Sequence, residues 1–170
     1  YNTVEPTHLI REWREGDTIL HTDLGHTLER IRDQGRAGFY EGKTAADIVA
    51  EMERGKGLIT YEDLKTYKST WRDVVTGRYK DYKIISMPPP SSGGVALIQL
   101  LKSVEPYPIK SWGHNSAQSI HLMVEAERRA YADRAFYLAD PDYYKVPVAQ
   151  LIDDQYVDER MSDLELDRAT

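Results

Sequence analysis

Cysteine is absent from this chain, which excludes disulfides, thiolate metal sites and a cysteine nucleophile. The absence leaves the compartment open, because exported and cytoplasmic proteins alike do without cysteine. Excess positive charge is missing too. The 170 residues carry a net charge of −6 with 29% charged side chains, so no global basic field draws the chain to nucleic acid. No apolar run approaches the ~20 residues that a membrane-spanning helix needs, and no basic start followed by an apolar stretch reads as a signal peptide. Tyr1 to Pro6 include no initiating Met, and Leu164 to Thr170 end without a glycine stop or a strand. The expectation is a processed, truncated or internal piece. Its length fits a single domain, one that would bury roughly two-thirds of its unfolded surface if it folded alone. Phenylalanine is scarce at 2 residues while tyrosine reaches 12, so large amphipathic anchors for a core or an interface dominate the aromatic set.

Periodicity predicts an α+β segment, mainly helical with one antiparallel strand pair. Leu24, Leu28 and Ile31 sit at helical spacing over 23–34, and Gly35 and Gly38 end that pattern. Thr44 with Asp47 predicts the cap of a second helix running to about Glu53, with Ile48, Val49 and Met52 on its apolar face. Thr60 with Asp63 predicts the cap of a short third one carrying Tyr61, Leu64 and Tyr67. From Thr70 to Met87 the aromatic and β-branched residues predict strands near 70–77 and 82–87 around a Lys80-Asp81 turn.

The stretch Met87 to Gly94 (MPPPSSGG) then aims the chain into a helix over 92–103. Consecutive prolines fix φ and supply no donors, so 88–90 are expected to run extended as polyproline II. Ser91 or Ser92 can cap the helix, and Gly93 and Gly94 permit positive φ or close backbone approach. Free N–H groups at a helix start can hold an anion, or the junction can simply pack tightly. It is neither a phosphate loop, which needs G-x-x-x-x-G-K-[ST], nor a G-x-S-x-G nucleophile turn. Val95, Leu97, Ile98, Leu100 and Leu101 make the helix apolar nearly all round, which predicts burial. Beyond a loop with Pro106, Pro108 and Gly113, Asn115 with Gln118 predicts a capping box for the longest helix, about 116–138. Two apolar stripes run along it: Ile120, Met123, Val124 and Tyr131, and Leu122, Ala126, Ala130 and Tyr137, the small alanines allowing close approach of another element. Asp140-Pro141-Asp142 ends it. A short helix near 147–152 and a polar, acidic one over 153–164 follow.

Three groups of residues bear chemistry. His121 and Glu125 share a helix face at i, i+4 with His114 nearby, which is metal-ligand spacing but is ordinarily a surface pair or a capping contact. Glu125 also stands at i+3 and i+4 spacing to Arg128 and Arg129, in a helix bearing Glu127, Asp133 and Arg134. Solvated or interface ion pairing is the default there, and a fork from Arg129 or Arg134 to a substrate carboxylate is the functional alternative. His8, His21 and His26 with Asp17 and Asp23 form a loose cluster, but no serine stands in a nucleophile context beside them.

Five ordered stretches, 35–42 (GRAGFYEG), 57–64 (GLITYEDL), 84–94 (IISMPPPSSGG), 125–134 (EAERRAYADR) and 137–142 (YLADPD), together resemble the gamma-glutamyltranspeptidase family. The resemblance implies an N-terminal-nucleophile hydrolase with an αββα sandwich, made as one precursor that cleaves itself into a large and a small subunit. The small subunit's new amino-terminal threonine attacks the γ-glutamyl amide of glutathione and related compounds, and the acyl group passes to water or to an amino acid or dipeptide. No metal or organic cofactor is implied, and the family's usual place is periplasmic or secreted.

By the same resemblance the chain is the carboxy-terminal half of the large subunit, a single partial domain over 1–170. A small subunit starting with threonine is not in it. Thr170 lies in a context, Leu166 to Ala169, similar to the family's segment some tens of residues before the cleavage point, and is not the nucleophile. The substrate-carboxylate arginine and the oxyanion glycines also belong elsewhere, so Gly93-Gly94 are not that pair. The resemblance therefore assigns no catalytic, cofactor or metal residue here, and leaves substrate-binding residues unknown. Its expected partners are the small catalytic subunit and the rest of the large subunit. A related acylase, a poly-γ-glutamate-cleaving enzyme, or a non-catalytic interaction module on the same scaffold are the alternatives.

Overall fold

The computed structural model describes residues 14–170, so His8 and the amino-terminal residues Tyr1 to Pro6 lie outside the described part. The chain divides into two compact units, Tyr1–Ser69 and Thr70–Thr170.

The first unit holds α1 (Thr22–Gln34), α2 (Ala37–Tyr40), α3 (Gly42–Gly55) and α4 (Tyr61–Thr66), and its core is Ala45 and Val49 of α3 with Leu64 of α4, Tyr40 and Ile48 packing against them. Gly38 makes this possible: a Cβ there would stand 2.1 Å from the backbone oxygen of Arg30, so only glycine lets α2 approach α1. The expected cap at Thr44 is overturned. Thr44 is buried inside α3, where its hydroxyl donates to Gly38 O at 2.8 Å and accepts from Arg30 Nε at 3.0 Å, while Asp47 pairs with Lys43. The capping box at Thr60 and Asp63 forms as expected. No residue of α1 is buried, so its Leu24–Leu28 face is left open.

The second unit is built on α5. Strands β1 (Val75–Tyr79) and β2 (Tyr82–Ser86) pair antiparallel from Val75↔Ser86 to Tyr79↔Tyr82. The turn at Lys80 and Asp81 puts Lys80 at φ 51°, and its N–H donates to Glu105 Oε1 at 2.6 Å. The first strand thus starts later and runs further than predicted. Trp71 is fully exposed, and Arg72 is instead drawn into a two-bond pair with Asp142 at 3.0 and 2.6 Å, which holds the approach outside the ladder.

Helix α5 (Gly93–Val104) packs Val95 and Ile98 with Val75 and Leu151 into one core, with Ile84, Tyr137 and Tyr156 around it. Its burial is one-sided, since Leu97 is 42% exposed; the all-round burial expected from its composition does not occur within this chain. After the short α6 (Ile109–Trp112) comes α7 (Ala117–Tyr137), whose 21 residues span roughly 32 Å. The α7 cap is Ser116, which accepts from Ser119 N–H at 3.2 Å, and not Asn115, which takes φ 53° in the preceding turn. Leu122 and Ala126 form a second core with Val157 and Met161 of α9 (Asp154–Met161), and α8 (Val148–Leu151) supplies Leu151 to the first. The small residue at 126 lets α9 lie close, as its size suggested.

Candidate functional site

Two structures carry the chemistry-bearing residues: the elbow into α5 and the polar face of α7. At the elbow the proline run does not stay extended. The Pro89–Pro90 peptide is cis, and Ser91 N–H donates to Pro88 O at 3.1 Å, closing a turn with a cis proline at its third position. The Ser91 hydroxyl accepts from Gly93 N–H at 3.3 Å, and that of Ser92 accepts from Arg134 Nε at 2.8 Å. Gly94 is where glycine is required, because a Cβ would lie 2.2 Å from Met87 O. Of the two sequence readings, anion cradle or tight packing, the contacts satisfy the second. Both hydroxyls are engaged within the chain.

On α7, Glu125 is nearly fully buried, with 2% of its side chain exposed. Its carboxylate accepts from the Thr170 hydroxyl at 2.6 Å, Arg129 Nη1 at 2.7 Å and Arg128 Nη1 at 2.8 Å. A buried carboxylate is costly unless paired and hydrogen-bonded, and here it is both. The Thr170 and Arg129 bonds outweigh burial, and with Arg128 they hold its pKa down at about 2. Arg129 is itself committed: Nε donates to Arg160 O at 2.7 Å and Nη2 to Asp163 Oδ1 at 2.5 Å. Burial opposes its charge, but the Asp163 and Glu125 carboxylates prevail and raise its pKa. The pairing predicted from spacing is therefore present, but it is a buried hub and not a solvated surface pair.

One turn further along lies a second polar cluster. Gln99 Nε2 of α5 donates to Asp133 Oδ2 at 2.9 Å, and Arg160 Nε of α9 faces Asp133 Oδ1 at 3.2 Å. Tyr156 joins it; burial, then the Asp133 carboxylate, push its hydroxyl pKa up. Sequence reading did not single out this cluster. Its signals were a lone glutamine in the apolar α5 and the placement of 125, 129 and 133 on one face at i, i+4, i+8.

The other candidates do not assemble. His121 Nε2 lies 2.7 Å from Glu165 O, an acceptor, so this nitrogen donates and is not turned to Glu125 as a joint ligand. Among the described residues no group of three histidines or carboxylates is placed to hold a metal. Arg129 has no fork left for a substrate, while Arg134 is exposed, bonded to Ser92 and set over the Tyr131 ring at 5.7 Å.

The described geometry is a hairpin joined by a closed turn to a helix buried on one side, braced by ionic hubs. In three dimensions it is similar to the gamma-glutamyltranspeptidase of Helicobacter pylori, with a TM-score of 0.76 and 42% identity over 94% of this chain and 46% of that one. The structural likeness places it among the N-terminal-nucleophile hydrolases. Within that class, the family model for gamma-glutamyltranspeptidase matches residues 8–170, and the chain belongs to this family. It is 41% identical over 156 residues to the glutathione hydrolase proenzyme of Escherichia coli, covering 92% of this chain and 27% of that protein. It is 40% identical over 154 residues to the acylase ACY 1 proenzyme of Pseudomonas sp. (strain SE83), covering 91% and 28%. The chain thus spans about a quarter of the length of the curated relatives it matches.

Proposed function

We propose that this chain is scaffold for a self-processing gamma-glutamyltranspeptidase, and that residues 1–170 form one partial domain of its large subunit. The observation that carries the reading is the match to a glutathione hydrolase proenzyme over 92% of the chain. The committed hydroxyls agree with it. Ser91 closes a turn, Ser92 binds a guanidinium and Ser116 caps a helix, so these three hydroxyls are engaged within the chain, and the reading puts the nucleophile on an amino-terminal threonine outside it.

In this reading the threonine hydroxyl attacks the carbonyl carbon of a γ-glutamyl amide, with the threonine's own amine as base. The C–N bond breaks, an ester to the threonine oxygen forms, and the proton passes to the departing amine. Water then yields free glutamate, or an amino acid or dipeptide amine takes the acyl group. The hairpin is a portion of the αββα sandwich, which the remainder of the large subunit and the small catalytic subunit complete. No organic or metal cofactor enters, and the enzyme works in the periplasm or outside the cell. No helix of the described residues is long and apolar enough to cross a membrane.

The test is to purify the whole precursor and follow it by intact mass and amino-terminal sequencing while assaying release of amine from a γ-glutamyl amide. A second chain beginning with threonine, appearing together with turnover, supports the reading; a precursor that never splits and never turns over overturns it. The likeness to an acylase supports a second reading, in which the same scaffold serves hydrolysis of a different acyl amide. Faster turnover of a glutaryl amide than of a γ-glutamyl amide by the processed enzyme would select it.

A further inference from the structure

The β1–β2 hairpin buries one face against α5 and exposes the other, which carries Thr76 and Arg78 on β1 and Lys83 and Ile85 on β2. The register sets Arg78 directly against Lys83 and Thr76 directly against Ile85, so the Cβ atoms of each pair stand about 5 Å apart. Like charges opposed in this way destabilise a ladder, whereas a carboxylate across from Arg78 would support it.

Neither cation is neutralised within the chain. Arg78 Nη2 donates to Lys80 O at 3.3 Å, an uncharged acceptor, and among the described residues no carboxylate pairs with Arg78 or Lys83. Three carboxylates line the open groove beside this face, and two of them are committed elsewhere. Glu105 accepts the Lys80 N–H at 2.6 Å, and Asp154 pairs with Lys102, whose ammonium also donates to Ile152 O at 2.7 Å. Lys80 adds a third cation at the turn, its Nζ 5.2 Å from the centre of the Tyr79 ring. In a chain of net charge −6, the tip of this hairpin thus concentrates three cations against the one uncommitted carboxylate of Asp81.

We infer that the exposed hairpin face is a binding site for a phosphomonoester, its dianionic head between Arg78 and Lys83 and its apolar body over Ile85. A guanidinium fork takes two phosphate oxygens and an ammonium a third, so two converging cations match a dianion carried on one compact group. A monocarboxylate would neutralise only one of them. Ile85 is 62% exposed and lies two residues along the strand from Lys83 on the same face, about 7 Å away, which suits the organic part of an ester. The bound head converts the repulsion between Arg78 and Lys83 into shared attraction.

The test titrates the whole protein with inorganic phosphate and with phenyl phosphate in a calorimeter at about pH 7.5, where the monoester is a dianion. Wild type is compared with Arg78→Gln, Lys83→Gln and Ile85→Thr. Phenyl phosphate should bind wild type about threefold or more tightly than inorganic phosphate, because its ring covers apolar surface. Each glutamine variant should weaken both probes by about fivefold or more, and Ile85→Thr should weaken phenyl phosphate alone. Added salt should weaken both probes. Without ligand, Lys83→Gln should melt no lower than wild type, since the repulsion is gone. Phenyl phosphate should raise the melting temperature of wild type and leave that of the glutamine variants unmoved.

A wild-type protein that gives no saturable binding of either probe overturns the proposal. So does binding that both glutamine variants retain, which would place the anion elsewhere. Equal affinity for the two probes, unmoved by Ile85→Thr, overturns the assignment to a monoester. None of these readings depends on turnover of a γ-glutamyl amide, so the site and the function proposed above stand or fall separately.

Discussion

Gln99 Nε2 donates to Asp133 Oδ2 across 2.9 Å, a buried polar contact between α5 and α7. Asp133 also faces Arg160 Nε, so a single carboxylate ties α5, α7 and α9 together. Asp133→Ala should lower the unfolding free energy by about 2–4 kcal/mol, since it strands the buried Gln99 amide and removes the carboxylate that stands 3.2 Å from Arg160 Nε. Asp133→Asn keeps the shape and an acceptor for Gln99, and should lose less. Denaturant midpoints of the two variants in the whole protein check this. Equal midpoints would show that the neutral acceptor recovers nothing and that the whole loss is the charge.

Acid should reveal Glu125. Its pKa is about 2 in the folded protein against an ordinary 4.5, so between these values the unfolded chain binds more protons than the folded one. The contribution is fully present above about pH 5 and is lost as pH falls through 4.5 toward 2. The stability lead of wild type over Glu125→Gln should therefore be constant near neutrality and shrink steadily below about pH 4.5, as chemical-denaturation curves at several acidic pH values will show. Tyr156 works at the other end. Its raised pKa means a contribution present below the ordinary pKa of 10.0 and lost as pH rises beyond it, a loss that Tyr156→Phe should not show.

These hubs divide what the sequence discloses from what it withholds. Element types are readable because periodicity and caps act locally: Thr60 with Asp63 closes its box, and the Lys80-Asp81 turn falls where expected. Caps fail where tertiary contacts compete for the same side chain. Thr44 is taken by Arg30 and Gly38, and Ser116 displaces Asn115. Spacing along α7 identifies Glu125, Arg128 and Arg129 as mutual partners but says nothing about the burial of Glu125 or about its further bond from Thr170, 45 residues away. The proline run misleads for a related reason. An extended conformation is the local preference of three prolines, and the closed turn is set by where β2 must hand the chain to α5.

The elbow makes a paired prediction. Gly94→Ala places a methyl 2.2 Å from Met87 O, so backbone must move, and the cost should be about 1–3 kcal/mol. Gly93→Ala is the control, because its new methyl meets nothing nearer than Ser91 Oγ at 3.6 Å and alanine favours a helix. It should be neutral or stabilising by up to about 1 kcal/mol. Thermal melts of the two variants side by side check the asymmetry, and equal losses would show that the elbow tolerates movement.

The partial-domain reading has its own consequence for the surface. On α7 the two apolar stripes part company: Leu122, Ala126 and Ala130 are buried, while Ile120, Met123, Val124 and Tyr131 remain 46–55% exposed. The exposed set repeats at helical spacing and continues the apolar character of a helix end to end, which is how a face meant for burial looks. With residues of the remaining precursor packed on it, this stripe should be dry. The chain expressed as 1–170 should therefore bind a hydrophobic dye or self-associate in sedimentation, and the whole precursor should do neither. Serine at Met123 and Tyr131 should quiet the isolated chain and destabilise the whole precursor, opposite signs that follow from one face being open in the first and covered in the second. A 1–170 chain that is monomeric and dye-silent without those changes would refute the partial-domain reading.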